Sequence, residues 1–181
     1  MPVGVLVARN ATTQLHRGRY TADVSGEFVV VLIGMRINKR WKVHRWWPVF
    51  RSMSAMVKDL HARPEEGLLG FQLCLMRGVG PTLVQYWRSY EHLNRFARDP
   101  EAPHLGMWQW FNRQVGASGD VGIWHEAFEV RNYECVYSNM PVIGLAAATR
   151  HAPVAERGQS SARRMGVTLA DDVAVPYYDN P

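Results

Sequence analysis

Cysteine is scarce in this chain: among 181 residues there are two, Cys74 and Cys135. Neither stands in a CxxC or Cys/His spacing, so a zinc site is not expected. Both sit in apolar runs, where a free buried thiol is the usual state. Long apolar runs are lacking too, since none approaches the roughly 20 residues that span a bilayer. The opening MPVGVLVARN is too short and unflanked for a signal peptide, so a cytosolic location is the expectation. Nucleotide-binding glycine motifs, HExxH and the GxSxG elbow are all missing. Glu65 and Glu66 are adjacent rather than spaced as an acid/base pair. The formal net charge is +5, but Arg and Lys are spread along the chain. No basic face or nucleic-acid motif emerges, so no nucleic-acid partner is expected.

Aromatic residues are plentiful, with seven Trp, seven Tyr and six Phe. They point to an aromatic core, an apolar pocket or an interface. Phe28 to Met35 is apolar at nearly every position, and such a strand must be covered on both faces. Trp46, Phe50, Met53, Val57 and Leu60 recur at helical spacing over 41–62, with Pro48 inside the pattern. Leu69, Phe71, Leu73 and Leu75 alternate as a strand. Arg77-Gly78-Val79-Gly80-Pro81 makes a hairpin turn, and 82–88 returns. Ser89 is a helix N-cap, and Pro103 suits the first position of a second helix. That helix carries His104, Trp108, Phe111 and Val115 on one face. Val121 to Val130 reads as a strand, and Tyr133 to Ser138 as a fifth.

The order is β-α-β-β-α-β, an α+β domain of ferredoxin-like pattern. Residues 1–26 read as an N-terminal arm, 27–150 as the domain, and 151–181 as a flexible tail without apolar period. Helices cover one sheet face. The all-apolar strand requires a cover on the other, for which a second copy is expected, a homodimer, with the chain's own tail as the alternative.

Several motifs resemble a known group. Trp87-Arg88-Ser89-Tyr90-Glu91-His92-Leu93-Asn94-Arg95-Phe96, followed by Pro103-His104, resembles the strand, short helix and His-bearing helix of antibiotic-biosynthesis-type monooxygenases, which are dimeric α+β barrels. Gly34-Met35-Arg36-Ile37-Asn38, Gln85-Tyr86-Trp87-Arg88-Ser89, Gly119-Asp120-Val121-Gly122-Ile123-Trp124-His125-Glu126 and Asn139-Met140-Pro141 are similar to a monooxygenase-like family. It has bacterial members and a fungal member assigned to fumagillin biosynthesis. The similarity covers about residues 17–150. It implies a homodimer with a pocket between helices and sheet, taking an apolar aromatic, polyketide- or terpenoid-like substrate. It also implies an oxygenation without metal or flavin, in which the protein supplies a base, an apolar cage and hydrogen bonds. Related barrels bind haem through a helix-borne His, which would make His104 the ligand.

His104 is the first catalytic candidate, because a helix N-terminus favours the neutral imidazole a base needs. A core His bonded to a carbonyl is the alternative. His125 is the second, yet adjacent strand residues point to opposite faces, so only one of Trp124 and His125 can face the pocket. The same parity separates Tyr86 from Trp87. Arg36 and Asn38, at the end of the first strand, can hold a carboxylate or enolate oxygen, or make a structural ion pair with Glu126 or Glu129. Phe50, Trp108 and Phe111 complete the expected apolar lining, with ordinary core packing as the plainer reading. A non-catalytic small-molecule binder fits the same residues.

Overall fold

A computed structural model describes residues 14–101 and 103–169, with the backbone alone for Pro103 and His104. Two antiparallel sheets and six helices make up the described chain. In chain order these are β1 (His16–Asp23), β2 (Phe28–Ile37), α1 (Val43–Ala62), β3 (Leu68–Met76) and β4 (Gly80–Trp87). Then follow α2 (Tyr90–Arg98), α3 (Pro103–Gln114), β5 (Val121–Val130) and β6 (Tyr137–Met140). The last are α4 (Gly144–Ala148), β7 (Arg150–Pro153), α5 (Val154–Arg157) and α6 (Ser161–Met165). No described helix is long and apolar enough to cross a membrane.

The main sheet has the order β3-β4-β2-β5. With α1 between β2 and β3 and α2–α3 between β4 and β5, this is the ferredoxin-like α+β arrangement. The apolar β2 is a central strand, hydrogen-bonded to β4 on one side and β5 on the other. Its period of two sends Val29, Val31, Ile33 and Met35 to the helices and Phe28, Val30 and Leu32 the other way. On the helix side Val29 and Val31 join Leu60, Trp87 and Phe96 in one buried cluster. Met35 joins Val49, Phe111, Val115 and Val121 in another. Truncating Leu60 to Ala here costs about 2–5 kcal/mol by lost transfer energy and cavity formation.

Local signals set the element ends as expected. Ser89 Oγ accepts from the His92 backbone N–H at 3.4 Å and caps α2. The β3–β4 turn falls at Arg77–Val79, between Met76 and Gly80. Pro48 sits inside α1, one turn past its start, where its missing N–H removes a single early helix bond. The Trp46 indole donates to the Arg40 carbonyl at 3.0 Å and ties down that end.

The second sheet, β6-β1-β7, departs from expectation in three places. Residues 16–23 form a strand rather than a plain arm. The fifth strand is not Tyr133–Ser138 but Tyr137–Met140, and it pairs with β1. Tyr133 and Cys135 are spent differently. The Tyr133 hydroxyl accepts from Val24 N–H at 2.7 Å, and the Cys135 carbonyl accepts from the Thr21 hydroxyl at 2.8 Å. The segment expected to be a flexible tail is ordered through residue 165 as β7, α5 and α6. Pairing of β7 with β1, the burial of Ala152 and Val154, and polar contacts hold it, rather than an apolar period. Arg150 and Arg157 both pair with Asp23, at 2.6 and 3.0 Å. Arg164, 5% exposed, pairs with Glu134 at 2.6 Å and donates to the carbonyls of Gly158 and Gln159.

This second layer covers part of the main sheet's other face. Phe28, Ala22, Leu145 and Ala146 form its buried centre, with Val30, Tyr86, Val130 and Tyr137 packed around them. The rest of that face carries Leu32, Val84 and Phe128, the last 49% exposed.

Candidate active site

The three helices α1, α2 and α3 lie on the main sheet without closing over it. They leave a cavity of about 450 Å³. Its floor is the helix-facing side of the sheet: Val31, Ile33 and Met35 from β2, Gln85 and Trp87 from β4, and Ile123, His125 and Ala127 from β5. Helix α1 supplies Val49, Ser52, Met53 and Met56. Tyr90, Leu93 and Asn94 come from α2, while Leu105, Met107, Trp108 and Phe111 come from α3. The volume falls within the range of small-molecule sites, as does the lining, which is apolar with few polar groups.

Strand register decides the parity questions. Val31 is paired with Gln85 on one side and Ala127 on the other, and Ile33 with Leu83 and His125. Residues paired across strands share a face, so Gln85, Trp87 and His125 look toward the helices. Tyr86 and Trp124 look away. Tyr86 lies in the seam between the two sheets, near Tyr137, where burial pushes both phenols up. Trp124 lies against Gly34, and a Cβ on that glycine would stand 2.7 Å from the indole Nε1. Gly34 is the residue that admits it.

The expected site residues therefore divide. His125, Trp87, Trp108 and Phe111 meet around the cavity. Trp108 stacks on Phe111 with ring centres 5.8 Å apart and, half-exposed, stands at the mouth. Phe50 borders instead a space of about 30 Å³ with Met53, Leu73 and Leu83. Arg36 pairs across β2–β5 with Gly122 on the far face and is exposed. It makes no ion pair with Glu126 or Glu129 among the described residues, and Asn38 Nδ2 donates to the Gly119 carbonyl at 2.9 Å. That pair belongs to the turn, not to the cavity. The His104 backbone is in the first turn of α3, and its side chain lies outside the described residues.

Asp120 organises this turn. Its backbone carbonyl accepts from Asn38 and Lys39 N–H at 3.0 and 3.2 Å. Its carboxylate receives Lys42 at 2.7 Å and Lys39 at 3.2 Å. The hydrogen bond from Lys42, with help from Lys39 and Ser118, holds the carboxyl at about 2. Thereby the β2–α1 connection is fixed to the start of β5.

Gln85 is the functional candidate that periodicity did not single out. It is 3% exposed, and its Oε1 accepts the Trp87 indole N–H at 3.0 Å. That bond fixes which limb of the amide is which, because an indole N–H only donates. The amide Nε2 has no hydrogen-bond partner among the described residues. Leaving such a donor buried costs about 1–3 kcal/mol. Its signal in the sequence is an amide in the middle of an otherwise apolar strand.

A model of the family described as Monooxygenase af470-like matches residues 28–145, from the first strand of the main sheet through the start of α4. No curated protein matches the chain. Among solved structures, the crystal structure of protein SO0527 from Shewanella oneidensis is similar at 15% identity with a TM-score of 0.38. The match covers 66% of this chain and 99% of that one. So loose a likeness carries no argument here.

Proposed function

Because the chain belongs to the Monooxygenase af470-like family, we propose that it oxidises an apolar aromatic, polyketide-like or terpenoid-like small molecule in the cavity between its helices and main sheet. The observation that supports this reading best is the cavity itself: about 450 Å³, walled by aliphatic, Met and aromatic side chains, with a single imidazole, His125, among its described lining. An imidazole is the usual general base near neutral pH. A deprotonated, electron-rich substrate reduces O2 itself, so that a CH2 group and O2 give a carbonyl and water. The chain's own part is then to take the proton at His125 and hold the ring against Trp108 and Phe111. His104 is the second base candidate, from the first turn of α3.

We also read the uncovered half of the sheet's far face as the contact with a second copy of the chain. Leu32 is paired there with Val84 on one side and Glu126 on the other, Phe128 stands diagonally from Leu32, and β5 pairs only with β2 among the described residues, which leaves its outer edge open. An open, partly apolar edge strand is a template for pairing.

The test of the reaction is oxygen isotope incorporation. Incubation of a hydroxylated polycyclic ketone with the protein under ¹⁸O2 is expected to place one ¹⁸O in the product. His125→Ala is expected to lose that label while still binding the compound. Binding without oxygen uptake by the wild type would make the protein a carrier instead.

A further inference from the structure

The cavity has one polar group whose state is specific. Gln85 is buried, the Trp87 indole N–H occupies its Oε1 at 3.0 Å, and its Nε2 has no partner among the described residues. With Trp87 donating, the amide cannot turn over without setting two donors against each other. A fixed, desolvated donor in an apolar wall is a position for an acceptor atom. We infer that Gln85 is the specificity-determining residue of the site, its Nε2–H donating to a carbonyl, quinone or phenolate oxygen of the substrate. This rests on the cavity being the substrate site.

The sheet also sets the length of the molecule. Gln85 and His125 stand on strands either side of β2, offset by two residues. At ~4.8 Å between strands and ~3.4 Å per residue, their Cα atoms are on the order of 12 Å apart. The substrate class is thus an elongated apolar ring system with an acceptor oxygen at the β4 end and its reactive position toward β5. A hydrocarbon of the same shape leaves the amide unpaired and is disfavoured.

The probes are 9-fluorenone and fluorene, which differ by one acceptor oxygen, with binding read from quenching of the protein's tryptophan fluorescence. Wild type is expected to bind fluorenone about tenfold or more tighter than fluorene, the worth of one recovered buried hydrogen bond. Gln85→Met removes the donor and is expected to abolish the preference. Gln85→Glu keeps an acceptor for Trp87, and its carboxyl, buried without a cation, stays protonated, so its O–H is expected to retain part of the fluorenone preference while fluorene binding stays within about threefold. Equal binding of the two probes by wild type overturns the assignment of Gln85 and leaves the cavity reading standing. A preference that survives undiminished in Gln85→Met does the same. If neither probe binds, the cavity reading falls and this inference with it.

Discussion

Replacing Gly70 by Ala tests whether the chain's own C-terminal segment is seated on the main sheet. Gly70 lies in β3 opposite Tyr86, on the face away from the cavity. A Cβ there would stand 2.7 Å from the Ala148 Cβ and 2.9 Å from the Ala148 Cα. Carbon atoms rest at about 3.5–4.0 Å, and the second of these clashes is with backbone, so α4 must rise by roughly 1 Å. That loosens Leu145 and Ala146, which are buried against Phe28 and Ala22. Overpacking of this kind costs about 1–3 kcal/mol. The Ala side chain offsets about 0.4–1 kcal/mol by restricting the unfolded chain. The net loss is about 1–2 kcal/mol, which for a protein of this size lowers Tm by roughly 2–8 °C. Thermal unfolding followed by circular dichroism reads it. Ala148→Gly in the same chain removes the nearer clash but leaves the one with the backbone, so it should recover part of the loss. A Gly70→Ala protein as stable as the wild type would refute the seating of α4.

Asp120→Asn should lower Tm at neutral pH by breaking the bonds to Lys42 and Lys39. A carboxyl held below its usual 3.8 stabilises the fold above that pH and loses its effect as pH falls toward about 2. Melting curves of wild type and variant should therefore converge through that window, and a constant gap would contradict the role given to the charge. Trp108→Ala, which removes a half-exposed ring stacked on Phe111 at the cavity mouth, should cost about 1 kcal/mol of stability or more. It should weaken an aromatic probe by about tenfold through the lost ring contact, which fluorescence titration measures. Phe128→Glu should turn a dimer into a monomer by light scattering, and a wild type that is monomeric at every concentration would remove the proposed contact.

Much of the fold is written locally and is legible in the sequence. The nearly all-apolar run Phe28–Met35 in β2, the Gly78 turn and the Ser89 cap act over a few residues each, and the structure repeats them. Alternation along β4 and β5 tells which residues share a face, but not which face the helices cover. That follows from pairing with β2, an interaction between distant segments. Trp124 and His125, like Tyr86 and Trp87, are separable only there. The tail escapes a local reading because pairing with the distant β1 and long-range ion pairs hold it. Asp23 binds Arg150 across 127 residues of chain, a separation no window of periodicity spans. Arg36 is misplaced by its neighbourhood in a motif, although parity with Leu32 and Gly34 puts it on the far face. Gln85 is visible as a lone amide in an apolar run, and its meaning comes from Trp87, two residues on.

A crystal structure of the protein grown with 9-fluorenone tests the cavity and the role of Gln85 together. The ligand is expected between α1–α3 and the main sheet, its carbonyl oxygen within about 3.2 Å of Gln85 Nε2 and one of its two flanking rings toward His125. Ligand on the opposite face of the sheet, or in the cavity with its oxygen turned away from Gln85, would contradict that reading.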